Sequence, residues 1–440
     1  MHGYLFLRSN QFALIGAALY ATIVASMNTT ATAAQAPLIG TASATSPSRL
    51  ASIDIFRGLT MVVMIFVNDL AGVRGLPWWN YHAPAQADLM TYVDMVYPFF
   101  LFAVGLSVPL AVKARLKKTG STLALWRHVI VRSASLVVLG LILANAEKGD
   151  PARIGFNQNL WAILALLGAA LYLSVYTGTG RGAKIHKALR ILGLVLVIAM
   201  YAIFRRTTHD GHAGWIDGSY PEILGLIGYT FFAVSLLYIP TRRWLWAPFG
   251  WLVALVTFNA LCTAKWIVLP HHLPLYFWPF DNGAMASITM AGIATSVIFL
   301  GEHRWKALGQ KMSMAAAFAL AALASGRLLT PLGISKIRAT PTWSLYCIAA
   351  SVACFAILHW ICDAKKRTGW AFFARPAGSN TLLTYLLPDF YYFIIAAAGI
   401  TYFETHFNYG SLGAVRSIVF TALILCIAAL LTRWKIRLQL

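Results

Sequence analysis

The sequence predicts an all-α fold, a polytopic transmembrane bundle of about 11–13 spanning helices, and three observations support this prediction. Hydrophobic residues make up 59% of the 440 positions and charged residues only 11%, whereas soluble domains carry about a quarter charged residues. Apolar runs of about 20 residues, long enough to cross a bilayer, recur along the chain. The alternating apolar and polar pattern of barrel strands is absent, so the spans are expected to be helices.

Residues 1–48 form a separate N-terminal segment. An apolar run covers about residues 10–27, and an uncharged tract rich in Ala, Thr and Ser follows it. The small residues at positions 30–34 suit a cleaved signal peptide, whereas the apolar run equally suits an extra helix followed by a linker. Both interpretations stay open, and residues 49–440 are predicted to form one transmembrane domain.

From Leu50 onwards, each apolar run is interpreted as one spanning helix. The predicted spans are residues 50–70, 90–112, 129–146, 158–176, 190–204, 221–239, 244–262, 284–300, 308–325, 342–361, 376–397 and 413–431. If the first of these spans starts in the cytoplasm, the loops richest in Lys and Arg all face the cytoplasm. These basic segments are residues 113–127, 181–190, 242–243, 304–306, 365–367 and 433–437. The sequence therefore predicts a multi-pass protein of the bacterial inner membrane with a cytoplasmic C terminus.

The net charge of +21 and the isoelectric point of about 10.0 would suggest a nucleic-acid partner in a soluble protein. Here the Lys and Arg residues concentrate in every second loop, so we interpret them as anchors that face anionic lipid headgroups. Membrane lipids are thus expected partners, and nucleic acid is not. The sequence leaves open whether two copies of the chain associate as a homodimer.

Histidine residues in the outer loops are the candidates for a metal site. His209 and His212 flank Asp210 in one loop, and His271 and His272 are adjacent in another. Adjacent histidines suit a single ion poorly, and the sequence holds no HExxH motif and no paired cysteines. We therefore predict that the protein holds no metal.

The first span carries polar and ionisable residues at both ends. Asp54 and Arg57 are three residues apart, so they share one helix face and can form a structural ion pair. This pair serves either to anchor the helix in the headgroups or to support function, and both interpretations stay open. Asn68 and Asp69 lie at the opposite end of the same helix, about 16 Å beyond Arg57.

A second group of polar residues gathers around the short loop between the first two spans. His82 lies in this loop, and Asp94 enters the following span without a neighbouring cation. Because the loop is short, both are expected to share the outer mouth of the bundle with Asn68. A histidine beside a carboxylate in a partly dry cleft can serve as a general base. A loop histidine can equally be an interfacial residue, and the residues alone leave this choice open.

The same residues resemble a known family. The motifs are RLASIDIFRG at residues 49–58, FVND at 66–69, YHAP at 81–84 and DMVYPFFLFAVG at 94–105. In order and spacing they resemble the transmembrane acyltransferase family that includes lysosomal heparan-α-glucosaminide N-acetyltransferase and its bacterial relatives. Weaker similarities to this family are RIGFNQ (153–158), DNGAMAS (281–287), ISKIRATPTWSLY (334–346) and GSNTLLTY (378–385).

The resemblance implies an enzyme that moves an acetyl group from cytoplasmic acetyl-CoA, its co-substrate, to the amine of a glucosamine-type amino sugar or glycan across the membrane. His82 stands at the position of the family's catalytic histidine, and Asn68 and Asp94 match its polar companions. The resemblance thus gives His82 the role of base or acetyl carrier. Asp94 would orient the imidazole, and Asn68 would donate a hydrogen bond to the thioester oxyanion. A ternary complex and an acetyl-histidine intermediate both stay open.

Further residues are expected to complete the two substrate sites. Lys117 and Lys118 on the basic cytoplasmic face are expected to attract the polyanionic CoA. The residues expected to bind the acceptor are Asp69, Trp79, Asn80, Asp281, Asn282 and Asn380. Residues 190–262 hold more predicted spans than the lysosomal enzyme has in this region, so an amino sugar, a glycan end and a hydroxyl all stay open as acceptors.

A secondary transporter for sugars or amino sugars is the alternative function. Transporters bind their substrates near the bilayer midplane, often at broken helices. This sequence instead places its polar residues at helix ends and in one loop, which favours the enzyme. A non-catalytic scaffold would leave His82 and Asp94 without a task.

Overall fold

The computed structural model describes residues 50–176, 181–270 and 273–440. The segment 1–48, with its choice between signal peptide and helix, and the His271–His272 pair lie outside the described residues. Within the described chain the fold is all-α, and its sheet is limited to two antiparallel strands, β1 (Arg206–Thr207) and β2 (Ala213–Gly214). The polytopic helical bundle that the composition predicted is confirmed.

Each predicted span contains one long helix, and short helices lie between some of them. The helices are α1 (Ala51–Leu70), α2 (Val93–Thr119), α3 (Thr122–Asn145), α4 (Pro151–Ile154), α5 (Gln158–Leu173), α6 (Arg181–Ile203), α7 (Glu222–Thr241), α8 (Ala247–Thr263), α9 (Ala284–Leu300), α10 (Leu308–Leu328), α11 (Pro341–Leu358), α12 (Arg375–Ser379), α13 (Thr381–Ala397), α14 (Tyr402–His406) and α15 (Gly410–Arg433). Single 3₁₀ turns cover Trp78–Asn80, Thr330–Leu332 and Gly369–Ala371, and the π-helical turn His359–Ala364 extends α11.

Seven of the described helices are long and apolar enough to cross a membrane, namely α1, α2, α3, α6, α7, α11 with its π-helical turn, and α15. Helices α5, α8, α9 and α13 are apolar but shorter. The helix limits differ most from the predicted limits in α2, α3 and α6, because α2 ends at Thr119 and the other two begin at Thr122 and Arg181. These helices extend into segments rich in Lys and Arg, and hydropathy does not mark such segments as helical.

Contacts between distant loops define two ends of the bundle. At the end that we call outer, Arg74 after α1 pairs with Tyr409 before α15 in a β-bridge. At the inner end, Ser174 after α5 pairs with Leu438 in the C-terminal tail. Both bridges join segments that the alternation of spans assigns to the same side. His82 lies at the outer end, because it follows the end of α1.

Helices α2 and α9 pack through glycine at the centre of the bundle. A Cβ atom at Gly105 would overlap the carbonyl oxygen of Thr289, and a Cβ atom at Gly292 would overlap the carbonyl oxygen of Phe102. Small residues let membrane helices approach closely, and van der Waals packing then holds the helices together. Since α9 is buried along nearly its whole length, this crossing fixes α2 against the core. The position of Asp94 at the start of α2 is fixed with it.

Candidate active site

His82 and Asp94 lie side by side at the outer end of α2. The Nδ1 atom of His82 is 2.7 Å from Oδ1 of Asp94, a distance that fits a charge-assisted hydrogen bond with Nδ1 as the donor. The Asp94 side chain is fully buried, whereas 44% of the His82 side chain is exposed. Because Nδ1 is engaged, Nε2 is the ring nitrogen left to face a reactant.

The second carboxylate oxygen of Asp94 is held by two backbone donors. It accepts hydrogen bonds from the N–H groups of Thr91 at 3.0 Å and Ala83 at 3.2 Å, while the Thr91 hydroxyl donates to the carbonyl oxygen of Tyr81 at 2.8 Å. Asp94 also occupies the first turn of α2, where the helix dipole favours a negative charge. A buried carboxylate with this many donors is stable as an anion and has one orientation. It therefore fixes the orientation of the imidazole.

The loop before α2 is shaped by its own hydrogen bonds. The Tyr81 hydroxyl donates to the carbonyl oxygen of Val73 at 2.9 Å and accepts from the N–H of Leu76 at 3.0 Å. From α11, the indole N–H of Trp343 donates to the backbone oxygen of Asp94 at 3.2 Å. These bonds hold the loop and the start of α2 in one arrangement.

Lys336 is a residue of this site that the sequence analysis missed. Its Nζ atom lies 3.3 Å from Nδ1 and 3.2 Å from Nε2 of His82. Cε1 lies between the two ring nitrogens and blocks an approach to both in the plane of the ring. An ammonium group at nearly equal distances from both nitrogens therefore lies over the face of the ring. Desolvation lowers the pKa of Lys336, and the charge of Asp94 opposes this shift. Its motif was noted in the sequence, but no signal there links Lys336 to a residue 254 positions earlier.

A clasp formed by Asp88, Ile334 and Arg338 holds Lys336 over the imidazole. The Nη2 atom of Arg338 donates to Oδ1 of Asp88 at 2.7 Å, and the N–H of Ile334 donates to the same oxygen at 3.2 Å. The hydrogen bond from Arg338 holds the pKa of Asp88 below its usual range. The clasp thus stays ionised at neutral pH and joins the loop before α2 to the segment before α11.

Asn68 and Asp69 are neighbours at the end of α1, but their surroundings differ. The Asn68 side chain is exposed, and no residue in the described part of the chain forms a hydrogen bond with it. Asp69 is buried. Its carboxylate accepts from the Tyr392 hydroxyl at 2.6 Å and from Arg416 at 3.0 Å. The Asn68 amide is therefore open to a ligand, whereas the Asp69 carboxylate ties α1 to α13 and α15.

Trp79 and Asn80 lie in the 3₁₀ turn just before His82. The Trp79 side chain is 50% exposed, and its ring centre lies 6.1 Å from that of Tyr92. The Asn80 side-chain oxygen accepts from the Tyr92 hydroxyl at 3.2 Å. The structure thus places both residues on the same outer surface as the imidazole, with the indole available for contact.

Asp281 and Asn282 precede α9, also at the outer end. The side-chain amide of Asn282 donates to the carbonyl oxygen of Ala339 at 3.1 Å, which supports the segment that carries Lys336. Burial raises the pKa of Asp281, and the N–H of Asn282 opposes this shift. The charge of Asp281 acts on Tyr97, one helical turn beyond the start of α2. Asp281 therefore lies near the first turns of α2.

Three of the residues predicted to serve the two substrate sites lie at the inner end, away from His82. The Asn380 side chain donates to the carbonyl oxygen of Ile436 at 2.9 Å and accepts from the N–H of Leu438 at 3.2 Å. Asn380 therefore holds the C-terminal tail. Lys117 and Lys118 are exposed in the last turn of α2.

Asp54 and Arg57 form an ion pair of 3.5 Å at the inner end of α1. Arg57 also donates to the carbonyl oxygen of Gly378 at 3.0 Å and to the Ser107 hydroxyl at 3.1 Å. The guanidinium group therefore joins α1 to α12 and α2, so it does more than anchor one helix in the headgroups.

For a metal ion, the described residues offer no cluster of three or more His, Cys, Asp or Glu side chains. The imidazole of His82 has an ammonium group over its face, and this positive charge repels a metal cation.

The fold and the site together define a class of protein. It is a polytopic α-helical membrane protein in which a buried carboxylate, an accessible imidazole and an ammonium group meet at one end of the bundle. Such an arrangement can accept a proton and stabilise a developing negative charge at the same place.

Comparison with known proteins shows what the chain is similar to. Residues 49–267 match the family described as Domain of unknown function (DUF5009). The chain is 34% identical over 134 residues to heparan-alpha-glucosaminide N-acetyltransferase of Homo sapiens, over 28% of this chain and 20% of that protein. The Mus musculus protein of the same name is 35% identical over 100 residues, which cover 23% of this chain and 14% of that protein. Undecaprenyl-diphosphatase 2 of Agrobacterium fabrum is 24% identical over 152 residues, which cover 31% of this chain and 54% of that protein.

The chain spans about half the length of these relatives or less. The matches confirm the resemblance to the transmembrane acyltransferase family of heparan-alpha-glucosaminide N-acetyltransferase that the motifs predicted. The DUF5009 match contains His82 and Asp94 and ends before Lys336. The ammonium group of the site therefore comes from a later part of the chain.

Proposed function

We propose that this protein is a transmembrane acyltransferase of the inner membrane, with a cytoplasmic C terminus. It would move an acetyl group from cytoplasmic acetyl-CoA to the amine of an amino sugar at the outer end. The observation that carries the proposal is the 2.7 Å contact in which a buried carboxylate, Asp94, orients the accessible imidazole of His82. The N-acetyltransferase name of two relatives supports an amine as the acceptor.

The first step is deprotonation of the acceptor. An amino sugar carries an ammonium group near neutral pH, and its nitrogen becomes a nucleophile only after it loses a proton. Nε2 of His82 takes this proton, and Asp94 stabilises the imidazolium through the hydrogen bond to Nδ1. The carboxylate of Asp281 and the exposed ring of Trp79 attract the ammonium before transfer, by charge and by cation–π contact.

The second step is attack of the amine nitrogen on the thioester carbon. A C–N bond forms, and negative charge develops on the carbonyl oxygen. The ammonium group of Lys336, 3.2 Å from Nε2 of His82, stabilises this oxyanion, with the Asn68 amide as a second donor. When the C–S bond breaks, the CoA thiolate takes the proton from the imidazolium. The second amine proton leaves to solvent.

The donor enters from the inner end in this proposal. Lys117 and Lys118 attract the phosphates of acetyl-CoA to the inner surface, and the thin pantetheine arm runs between helices to the outer site. Asp69, Asn282 and Asn380 already use their side chains in contacts within the protein. Asp69 and Asn282 are therefore proposed to position the helices and loops that bind the acceptor at the outer end, whereas Asn380 holds the C-terminal tail at the inner end.

The test is transfer of radiolabelled acetyl from acetyl-CoA to glucosamine by the purified full-length protein in nanodiscs. His82→Ala should lower kcat about 10²–10⁴-fold, because the base is lost, and should keep CoA binding. His209→Ala is the matched control, since His209 is also an exposed loop histidine, and it should transfer at the wild-type rate. Label retained on the protein without acceptor would identify the acetyl-histidine route.

Two outcomes would contradict the proposal. Equal transfer by the wild type and His82→Ala would remove His82 as the base. No transfer to glucosamine, glycan ends or sugar hydroxyls, together with sugar uptake into proteoliposomes, would replace the enzyme with the transporter.

A further inference from the structure

A guanidinium group with no hydrogen-bond acceptor and no counter-ion among the described residues lies in the inner half of α3. Among residues 50–176, 181–270 and 273–440, no hydrogen bond or ion pair reaches Arg132, and its Nε atom is buried. The guanidinium carbon lies 4.7 Å from the ring centre of Phe231 in α7. A buried donor without an acceptor and a charge without a counter-ion are both costly in a membrane helix. Arg132 therefore needs an anionic partner that the described chain does not supply.

Other basic residues lie around Arg132. His128 lies one helical turn earlier on the same face of α3, and Arg115 near the end of α2 acts electrostatically on both side chains. Arg57 in α1 also acts on Arg132, although Asp54 already pairs with Arg57 at 3.5 Å. The charges that act on Arg132 and His128 within the described chain are all positive. We call Arg115, His128 and Arg132 the basic cluster.

Anchoring in lipid headgroups does not explain Arg132, the member of the basic cluster farthest along its helix from the inner end. Anchoring cations lie at helix ends and are exposed, as Lys117 and Lys118 are in the last turn of α2. Arg132 instead lies about 15 Å along α3 from the start of the helix, and Phe231 of another helix packs against it. Its position is that of a side chain inside the bundle.

We propose that the basic cluster binds a diphosphate ester that enters from the inner end. Only Gly120 and Ser121 join α2 to α3 at the inner end, so the distance of a residue from the inner end can be counted along either helix from this connection. By this measure, Arg115 lies about 6 Å and Arg132 about 15 Å from the inner end. Two guanidinium groups that act on each other electrostatically suit two linked phosphates, because long arginine side chains can converge and each planar fork can bind one phosphate through paired hydrogen bonds. A single carboxylate would neutralise only one of them.

Two ligands share this chemistry: CoA, which is a soluble diphosphate ester, and a lipid diphosphate of the inner leaflet. For CoA, the inference deepens the transfer reaction proposed above and rests on it, because it gives the nucleotide end of the donor a binding site. The anion site itself follows from the basic cluster and does not require that reaction.

Calorimetric binding to the purified full-length protein in nanodiscs tests the proposal, with CoA, pantetheine and farnesyl diphosphate as probes. Arg132→Gln should weaken the binding of CoA or of farnesyl diphosphate about tenfold or more, and the probe that responds identifies the source. Pantetheine lacks the phosphates, so its binding should not change. Arg127→Gln is the matched control, because Arg127 is exposed on the same helix, and it should leave all affinities unchanged.

Thermal unfolding without ligand gives a second readout. Because no residue of the described chain neutralises Arg132, Arg132→Gln should unfold at the wild-type temperature or above it. An arginine with a structural partner would instead lose stability. Arg115→Gln repeats the binding test from α2 if Arg132→Gln does not fold.

The outcomes separate this site from the transfer reaction. Unchanged affinity for both diphosphates in the folded variants, or no binding of either one to the wild type, would overturn the proposal. CoA binding that depends on Arg132, without acetyl transfer to any acceptor, would reject the transferase and support the diphosphate site.

Discussion

The outer and inner ends of the bundle both contain charged side chains, but they pair these charges differently. At the outer end, the Asp94 carboxylate has donors on both oxygens and His82 beside it. At the inner end, Arg132 has no acceptor among the described residues. A site with complete hydrogen bonding is preorganised for chemistry, because its groups need not rearrange during the reaction. A charge left unpaired in the protein is instead suited to bind a ligand of opposite charge.

Removing the carboxylate charge at the outer end should have the largest effect. In Asp94→Asn, an amide NH₂ must face either Nδ1 of His82 or the N–H groups of Thr91 and Ala83. The imidazole would lose its orientation and the stabilisation of its charged form, so we expect kcat for acetyl transfer to fall about 10²–10⁴-fold. Transfer kinetics of the purified variant measure this loss. Asp210→Asn, in an exposed loop, is the control, and near-wild-type transfer by Asp94→Asn would contradict the preorganised site.

The ammonium group over the imidazole should limit activity at alkaline pH. Its charged form is the active one, and desolvation lowers the pKa of Lys336 from 10.5. Activity should therefore fall as pH rises through this lowered pKa. Lys336→Arg should move the alkaline limb to higher pH, whereas Lys336→Met should remove it and lower kcat about 10–100-fold. The pH profile of kcat is the measurement, and identical alkaline limbs in the wild type and Lys336→Arg would exclude Lys336 as the titrating group.

Exposed charges at the inner end should have the smallest effect. Replacing Lys117 and Lys118 with Glu should slow CoA association several-fold at low salt, and the difference should vanish at high salt because solvent ions screen exposed charges. Stopped-flow binding at two salt concentrations measures this. The loss in Arg132→Gln should persist at high salt, since that charge is inside the bundle. An association rate unchanged at low salt would exclude steering by these lysines.

The spans could be predicted from the sequence because each one is an apolar run of sufficient length. The helix limits could not be predicted equally well. Helices α3 and α6 begin at Thr122 and Arg181, inside basic segments that form helix without being apolar. Hydropathy reports which residues can contact lipid, whereas backbone hydrogen bonds decide where a helix begins.

The candidate site could be predicted where its residues are close in sequence. His82 and Asp94 are separated by a short loop, so their contact follows from chain length alone. Lys336 lies 254 positions from His82, and Arg416 lies 347 positions from Asp69. These contacts depend on how distant helices pack, which the spacing of motifs does not encode. The sequence did not indicate Arg132 as a binding residue, because it lies within an apolar run that is still predicted as one span.

The clasp between Asp88 and the segment before α11 has a consequence for the order in which the protein is completed during synthesis. Residues 49–267, which match the family, already contain His82 and Asp94. The lysine that lies over the imidazole and the tryptophan that bonds the backbone of Asp94 are translated later. A nascent chain that ends before Trp343 therefore contains the proton acceptor His82 but lacks the hydrogen bond from Trp343 to the backbone of Asp94. The ribosome must therefore translate the first residues of α11 before the site is complete.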